Sequence, residues 1–117
     1  MAGIVFLKTK DLARIVAFYT GLVGMRLWLE QPAITILRHE NLLIGFQQDG
    51  APDSGGVITF FYPRKGDVDA MYEALRSVAL EPPRINERYR IYQFFARDPD
   101  GRMVEFQQFL HDLPAWS

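Results

Sequence analysis

The sequence contains no cysteine among its 117 residues. Disulfide bonds, thiolate metal sites and cysteine nucleophiles are therefore excluded. No apolar run approaches the ~20 residues that a membrane-spanning helix needs, and the first eleven residues lack the layout of a signal peptide. We therefore expect a cytoplasmic protein that does not associate with a membrane.

Net charge is also small, at -1, with an isoelectric point near 6.1. A balance of this kind provides no electrostatic basis for binding nucleic acid. Several charged residues are clustered late in the chain. They are Arg84, Glu87, Arg88, Arg90, Arg97, Asp98, Asp100 and Arg102. Because the two signs are interleaved, we interpret this segment as a solvated face of mixed charge.

Aromatic residues, in contrast, make up 14% of the chain, and 49% of all residues are hydrophobic. This composition predicts one globular domain with a real core. A domain of this size can bury only some of its aromatic side chains. The others are available to line a cavity or an interface.

One order of elements, a strand, a helix and three strands, occurs twice along the chain. Strands are expected near residues 4–9, 25–30, 33–38, 42–48, 57–62, 85–88, 89–97 and 103–109. Asp11 is the expected N-cap of the first helix, which Gly21 and Gly24 end, and the second helix runs from Asp67 to about Val78. The single domain 1–117 therefore comprises a module at about 1–48, a linker at 49–56 and a module at about 57–117. Each half is too small to bury its own sheet face, so the halves are expected to share a core or a cleft.

The last two strands are predicted to form a hairpin around the Asp98–Gly101 turn, with Gly101 in the left-handed conformation. This register places Phe95 opposite Glu105 and Gln93 opposite Gln107. Alternation of side chains along the strands then collects one set of residues on the face away from the helices. The set is Phe6, Thr59, Phe61, Gln93, Phe95, Glu105 and Gln107, our candidate ligand-binding residues. The alternative is an ordinary two-layer core in which Glu105 pairs with an arginine.

Three stretches of the chain are similar to segments of a known family. The segment that begins with DLAR at residue 11 and runs to Met25 resembles the first-module helix of the vicinal oxygen chelate superfamily. The segment DVDAMY, residues 67–72, resembles the second helix of that superfamily, and RDPDGRMVEF, residues 97–106, resembles its closing hairpin. This superfamily contains glyoxalases, fosfomycin- and bleomycin-resistance proteins and extradiol dioxygenases. The resemblance implies an α+β fold of two βαβββ modules, whose mixed sheets curve around a shared cleft with the helices on the outer face. It also implies a homodimer. The tail from Leu110 to Trp116 ends in apolar residues, and we expect it to pack either on the partner or on its own sheet edge.

In metal-dependent members of that superfamily, up to four positions hold a divalent ion, usually through His, Glu or Gln. By resemblance these positions are Ile4, Gly45, Val57 and Glu105. Catalytic metal sites typically use three protein ligands, and here only Glu105 has a donor atom. A divalent metal is therefore disfavoured and no cofactor is expected. His39, in a predicted turn, and His111, in the tail, are interpreted as surface histidines.

The function that we expect first is metal-free binding of a small molecule, as in the bleomycin-resistance branch. The aromatic residues and Glu105 together suit an aromatic or cationic ligand. Two enzyme functions are alternatives: a metal-dependent lyase, isomerase or dioxygenase, and a metal-free enzyme with Glu105 as general base. A purely structural domain, with side chains filling the cleft, is the remaining alternative.

Overall fold

The first half of the chain forms a helix and a four-stranded mixed sheet in the computed structural model, which describes residues 2–115. Its elements are β1 Ile4–Thr9, α1 Leu12–Ala17 with a π-helical continuation Phe18–Val23, β2 Arg26–Gln31, β3 Ile34–His39 and β4 Leu42–Gln48. The strands lie in the order β1-β4-β3-β2, with β1 parallel to β4 and the other neighbours antiparallel. This is the first of the two predicted βαβββ modules.

The first helix starts where the sequence predicts and ends slightly differently. Asp11 is the N-cap, because its side chain accepts a hydrogen bond from the Arg14 amide at 3.1 Å. Gly21 lies inside the π-helical continuation and does not end the helix. The helix ends at Gly24, whose φ of 93° is the left-handed conformation that reverses the chain.

The second half repeats the architecture. Its elements are β5 Val57–Phe61, α2 Lys65–Leu75, β6 Arg84–Asn86, β7 Ile91–Arg97 and β8 Met103–Phe109, and the strand order is β5-β8-β7-β6. The helix begins two residues before the expected Asp67 and ends before Val78. The strand predicted at 85–88 is observed as β6, which is one residue shorter and begins one residue earlier. The strand predicted at 89–97 begins only at Ile91, because the chain turns between the two strands and Arg90 takes a left-handed φ of 53° there.

The hairpin of β7 and β8 has the predicted register. Phe95 pairs with Glu105 and Gln93 pairs with Gln107. Gly101 takes a φ of 80°, and the Asp98 amide donates to the Arg102 carbonyl oxygen at 3.0 Å across the turn. The predicted turn is therefore confirmed, and it determines which side chains of β8 point away from α2.

Each module has its own aromatic core on the helix side of its sheet. In the second module Phe106 stacks between Phe60 and Phe94, at centroid distances of 5.6 and 5.1 Å. In the first module Phe46, which occupies the repeat position of Phe106, stacks on Tyr19 at 5.1 Å. All five rings are buried.

Arg102 and Asp98 form a buried ion pair. Only 1% of Arg102 and 5% of Asp98 is exposed, and Nη1 of Arg102 donates to Oδ2 of Asp98 at 2.6 Å. The second guanidinium nitrogen, Nη2, donates to the carbonyl oxygens of Lys8 and Asp53. The expectation of a solvated segment is therefore wrong for these two residues, because contacts with distant parts of the chain bury them.

Tyr19 completes the surroundings of this ion pair. Its hydroxyl donates to Oδ2 of Asp98 at 2.7 Å, and the amides of Asp100 and Arg102 donate to Oδ1. Burial, and then the negative charge of Asp98, raise the pKa of the Tyr19 hydroxyl well above its ordinary value. Within the two compact units into which the chain divides, residues 98–102 belong with the first unit, which otherwise ends at Gly55.

The fold class is thus α+β with two βαβββ modules, as predicted. Within residues 2–115, neither helix combines the length and the apolar character needed to cross a membrane.

Candidate functional site

The polar residues of interest lie on one face of the second sheet, which we call the open face. It consists of the side chains of β5, β7 and β8 that alternate with those buried under α2. Because Phe60, Phe94 and Phe106 point to the helix side, their neighbours Thr59, Phe95 and Glu105 point away from it.

Glu105 is held on the open face by two neutral side chains. The Thr59 hydroxyl donates to Oε1 at 2.9 Å, and the Gln93 amide donates to Oε2 at 2.7 Å. Thr59 lies on β5 and Gln93 on β7, the two strands that flank β8. The carboxylate is therefore held from both sides by neutral groups, and within residues 2–115 no ion pair to Glu105 is formed.

A series of hydrogen bonds fixes the direction in which the Gln93 amide points. The backbone amide of Tyr89 donates to the side-chain oxygen of Asn86 at 3.3 Å, and Nδ2 of Asn86 donates to Oε1 of Gln93 at 3.0 Å. Gln93 must then present its amide nitrogen to Glu105. Through this series of hydrogen bonds, the turn between β6 and β7 restrains the carboxylate of Glu105 on β8.

A cavity of about 470 Å³ lies over this carboxylate. Its polar lining includes Glu105 and Gln107 of β8 and Gln93 of β7, and its aromatic rings include Phe95, Tyr89 and Phe109. A second cavity of about 340 Å³ is lined in part by the same Gln93 and Phe95. A concave, aromatic space with a few fixed polar groups is typical of a small-molecule site.

Gln107 contributes a polar group that is not satisfied. Its side chain is 7% exposed, and its Oε1 has no hydrogen-bond partner within residues 2–115. An unpaired buried acceptor costs about 1–3 kcal/mol. Rotation of the terminal amide is soft, so the amide can turn towards a donor that enters the cavity.

Six of the seven candidate residues from the sequence lie on the open face of the second module. They are Thr59, Phe61, Gln93, Phe95, Glu105 and Gln107. Phe61 is beside the cavity, since its ring contacts that of Phe109 at a centroid distance of 5.3 Å. Phe6 belongs to the first module, where its ring occupies the space above Gly45. A Cβ atom at position 45 would lie 2.5 Å from the Phe6 ring.

Sequence reasoning missed Asn86, Tyr89, Phe109 and His111 as lining residues. Phe109 and His111 continue the alternation that includes Glu105 and Gln107. Phe109 lies within the predicted strand 103–109, and extending the same pattern by two residues would have found His111. His111, expected at the surface, is partly buried and its ring contacts that of Phe109 at 5.6 Å. Asn86 and Tyr89 have no comparable signal, because only the fold of the β6–β7 turn brings them to the cavity.

The residues at the four metal positions do not fit a divalent ion. Ile4, Gly45 and Val57 have no side-chain donor, so of the four positions Glu105 alone carries a donor atom. Within residues 2–115, no three His, Asp or Glu side chains are grouped as metal ligands.

In sequence and in structure, this chain is similar to known proteins of one superfamily. Residues 3–106 match the sequence profile of the glyoxalase/bleomycin resistance protein/dioxygenase superfamily. A curated relative is biphenyl-2,3-diol 1,2-dioxygenase 3 from Rhodococcus globerulus, with 29% identity over an alignment of 113 residues that covers 86% of this chain. The alignment covers only 59% of that relative's length.

Solved structures show the same fold. Lactoylglutathione lyase from Agrobacterium tumefaciens superposes with a TM-score of 0.75 at 20% identity, covering 92% of both chains. A glyoxalase/bleomycin resistance protein/dioxygenase family enzyme from Burkholderia phytofirmans gives a TM-score of 0.80 at 18% identity, covering 92% of this chain and 97% of that one. At these identities the similarity concerns the fold alone.

Proposed function

The chain belongs to the glyoxalase/bleomycin resistance protein/dioxygenase superfamily, and from this premise we propose that it is a metal-free binding protein for an aromatic or cationic small molecule. The ligand occupies the cavity on the open face of the second module. Glu105 is its counter-ion, and Thr59, Gln93 and Gln107 are the polar groups around that contact. Phe61 and Phe95 are the proposed aromatic contacts, and Phe6 of the first module stays a prediction from the sequence.

The environment of Glu105 carries this proposal. Both carboxylate oxygens accept hydrogen bonds from Thr59 and Gln93, so the group is held in place by donors that carry no positive charge. A partly desolvated carboxylate is costly unless something pairs with it. A ligand cation that enters between aromatic rings supplies the missing charge and gains cation–π contacts as well.

The metal-dependent alternative has one observation in its favour, which is the name of the Rhodococcus relative, a dioxygenase. An extradiol-type or lyase reaction in this superfamily depends on a bound metal, and three of the four expected ligand positions are Ile4, Gly45 and Val57. We therefore place this alternative second. We place the general-base role of Glu105 third, since the residues that line its cavity include no second carboxylate to act with it.

Replacement of Glu105 by glutamine tests the proposal. We expect the native protein to bind at least one of two aromatic cations, benzamidine or benzyltrimethylammonium, more tightly than benzoate in isothermal titration calorimetry. The Glu105→Gln variant is expected to lose about tenfold or more of that affinity, because a charge-assisted contact is worth about 1.5–3 kcal/mol.

The matched control is Glu73→Gln on α2, since Glu73 is 65% exposed and pairs with Arg76 at the surface. This control should leave the affinity unchanged. Elemental analysis of the same samples should find no stoichiometric metal. Equal cation affinity in Glu105→Gln and native protein, or a metal that is lost with Glu105, contradicts the proposal.

We also propose that the chain forms a homodimer, as superfamily members often do. The support is the edge strand β2, where all six residues are exposed, Leu27 and Trp28 at 54% and 48%. Exposed apolar edge strands tend to be covered by a partner. The predicted contact through Trp116 lies outside the described residues.

Sedimentation equilibrium is expected to give twice the chain mass of 13.5 kDa. The substitution Trp28→Glu should shift the protein towards the monomer, because a charge would then be buried in the interface. A monomeric native protein at micromolar concentration would disprove the dimer.

A further inference from the structure

We propose that the cation recognised by Glu105 is planar and carries two N–H donors on one edge, as amidinium and guanidinium groups do, and that it binds both carboxylate oxygens at once. This inference rests on the proposed binding function and narrows the chemical class of the ligand. It follows from three properties of the site: the acceptor capacity left on Glu105, the fixed plane of its carboxylate, and the aromatic rings beside it.

The first property is the number of acceptor positions that remain. A carboxylate has about four lone-pair positions, two on each oxygen. Thr59 uses one on Oε1 and Gln93 uses one on Oε2. One position on each oxygen is therefore left, and the cavity that Glu105 lines gives a ligand access to this carboxylate. Two parallel N–H groups match this arrangement, as in bidentate pairs of arginine with carboxylates.

The second property is that the plane of the carboxylate is fixed before a ligand arrives. The Thr59 bond restrains one oxygen, and the Gln93 bond, itself fixed through Asn86 and the Tyr89 amide, restrains the other. A bidentate contact depends on orientation, so it gains from this restraint. A spherical cation such as a quaternary ammonium group has no N–H donors and gains nothing from it.

The third property is the aromatic lining. Phe95, Phe109 and Tyr89 line the cavity that contains Glu105. The Tyr89 ring already accepts a guanidinium group, since the Arg88 side chain lies over it at 5.2 Å. Flat cations stack on such rings while their edges form hydrogen bonds. The unpaired oxygen of Gln107, on the same strand as Glu105, offers an acceptor to a further donor of the same ligand.

The test compares two aromatic cations that differ in their donors. Benzamidine carries a planar amidinium group, whereas benzyltrimethylammonium has the same charge and no N–H. We expect the native protein to bind benzamidine at least about tenfold more tightly in isothermal titration calorimetry, since it forms two hydrogen bonds that the quaternary cation cannot form and one charge-assisted bond already accounts for such a factor. Benzamide, planar but neutral, should bind more weakly than benzamidine by a similar factor.

The variant Thr59→Val removes one of the two restraints on the carboxylate and keeps the side-chain shape. We expect it to reduce the preference for benzamidine over benzyltrimethylammonium by about fivefold or more. Gln93→Met, which removes the restraint on the other oxygen, should act in the same direction. Thr20→Val is the matched control. In the native protein the Thr20 hydroxyl donates to the Val16 carbonyl oxygen in the first module, so its loss should leave the preference unchanged.

The outcomes separate this inference from the proposed function. Equal affinities of the native protein for the two cations, both lost in Glu105→Gln, would overturn the bidentate contact and leave the binding function in place. An unchanged preference in both Thr59→Val and Gln93→Met, with native circular dichroism, would also overturn it. If neither cation binds and a divalent metal is retained through Glu105, the inference and the proposed function both fail.

Discussion

Replacement of Arg102 by methionine is expected to lower the free energy of unfolding by about 3–5 kcal/mol. The guanidinium is 1% exposed, and it is the charge partner of the equally buried Asp98 carboxylate. Without it, Asp98 retains hydrogen bonds from Tyr19 and two backbone amides but has lost its cation. The carbonyl oxygens of Lys8 and Asp53 lose a donor as well. Since small domains are stable by only about 5–15 kcal/mol, this is a large fraction of the total.

Urea denaturation followed by circular dichroism measures this effect, and Arg76→Met is the control. Arg76 forms a surface ion pair with Glu73 at 3.4 Å, and both side chains are mostly exposed. Pairs of that kind contribute about 1 kcal/mol or less. If Arg102→Met and Arg76→Met destabilise the protein equally, the buried ion pair does not have the role assigned to it.

Truncation of Phe106 to alanine is expected to cost about 3–5 kcal/mol of the free energy of unfolding. The ring is fully buried and stacks on Phe60 and Phe94, both nearly parallel to it. Its loss removes the centre of that stack and leaves a cavity under β8. Glu105 directly precedes Phe106 on β8, so loss of the ring also loosens the support of the carboxylate. We therefore expect the Phe106→Ala variant to bind benzamidine more weakly than the native protein at temperatures where the variant is still folded.

Leu80→Ala is the control for this substitution, since Leu80 belongs to the same module and is 50% exposed. It should change the free energy of unfolding by less than about 1 kcal/mol. If Phe106→Ala is as stable as Leu80→Ala, Phe60 and Phe94 close the space left by the missing ring, and the expected loss of about 3–5 kcal/mol is wrong.

Local sequence patterns predicted most of the second module correctly. The Asp-Pro-Asp-Gly turn requires a left-handed residue at Gly101, and this requirement alone sets Phe95 opposite Glu105. Alternation along β8 then places Glu105 and Gln107 on the same face. These are short-range constraints between residues close in sequence, so a single sequence contains enough information to deduce them.

Charge patterning failed where burial depends on distant residues. Arg102 looked like one member of a solvated segment, yet its guanidinium reaches the carbonyl oxygen of Lys8, 94 positions earlier in the chain. The relay from Tyr89 through Asn86 to Gln93 was likewise not predictable. It depends on the β6–β7 turn and on a strand of three residues whose bounds differ from the sequence pattern.

The sequence by itself therefore determined the two-module architecture, the hairpin register and the face on which Glu105 lies, because periodicity and turn chemistry act between near neighbours. The lack of side-chain donors at Ile4, Gly45 and Val57 is also a property of the sequence alone, since it depends only on residue type. Only the tertiary structure decided what contacts Glu105. Its partners Thr59 and Gln93 come from two other strands, and hydrogen bonds between strands depend on how the whole sheet assembles.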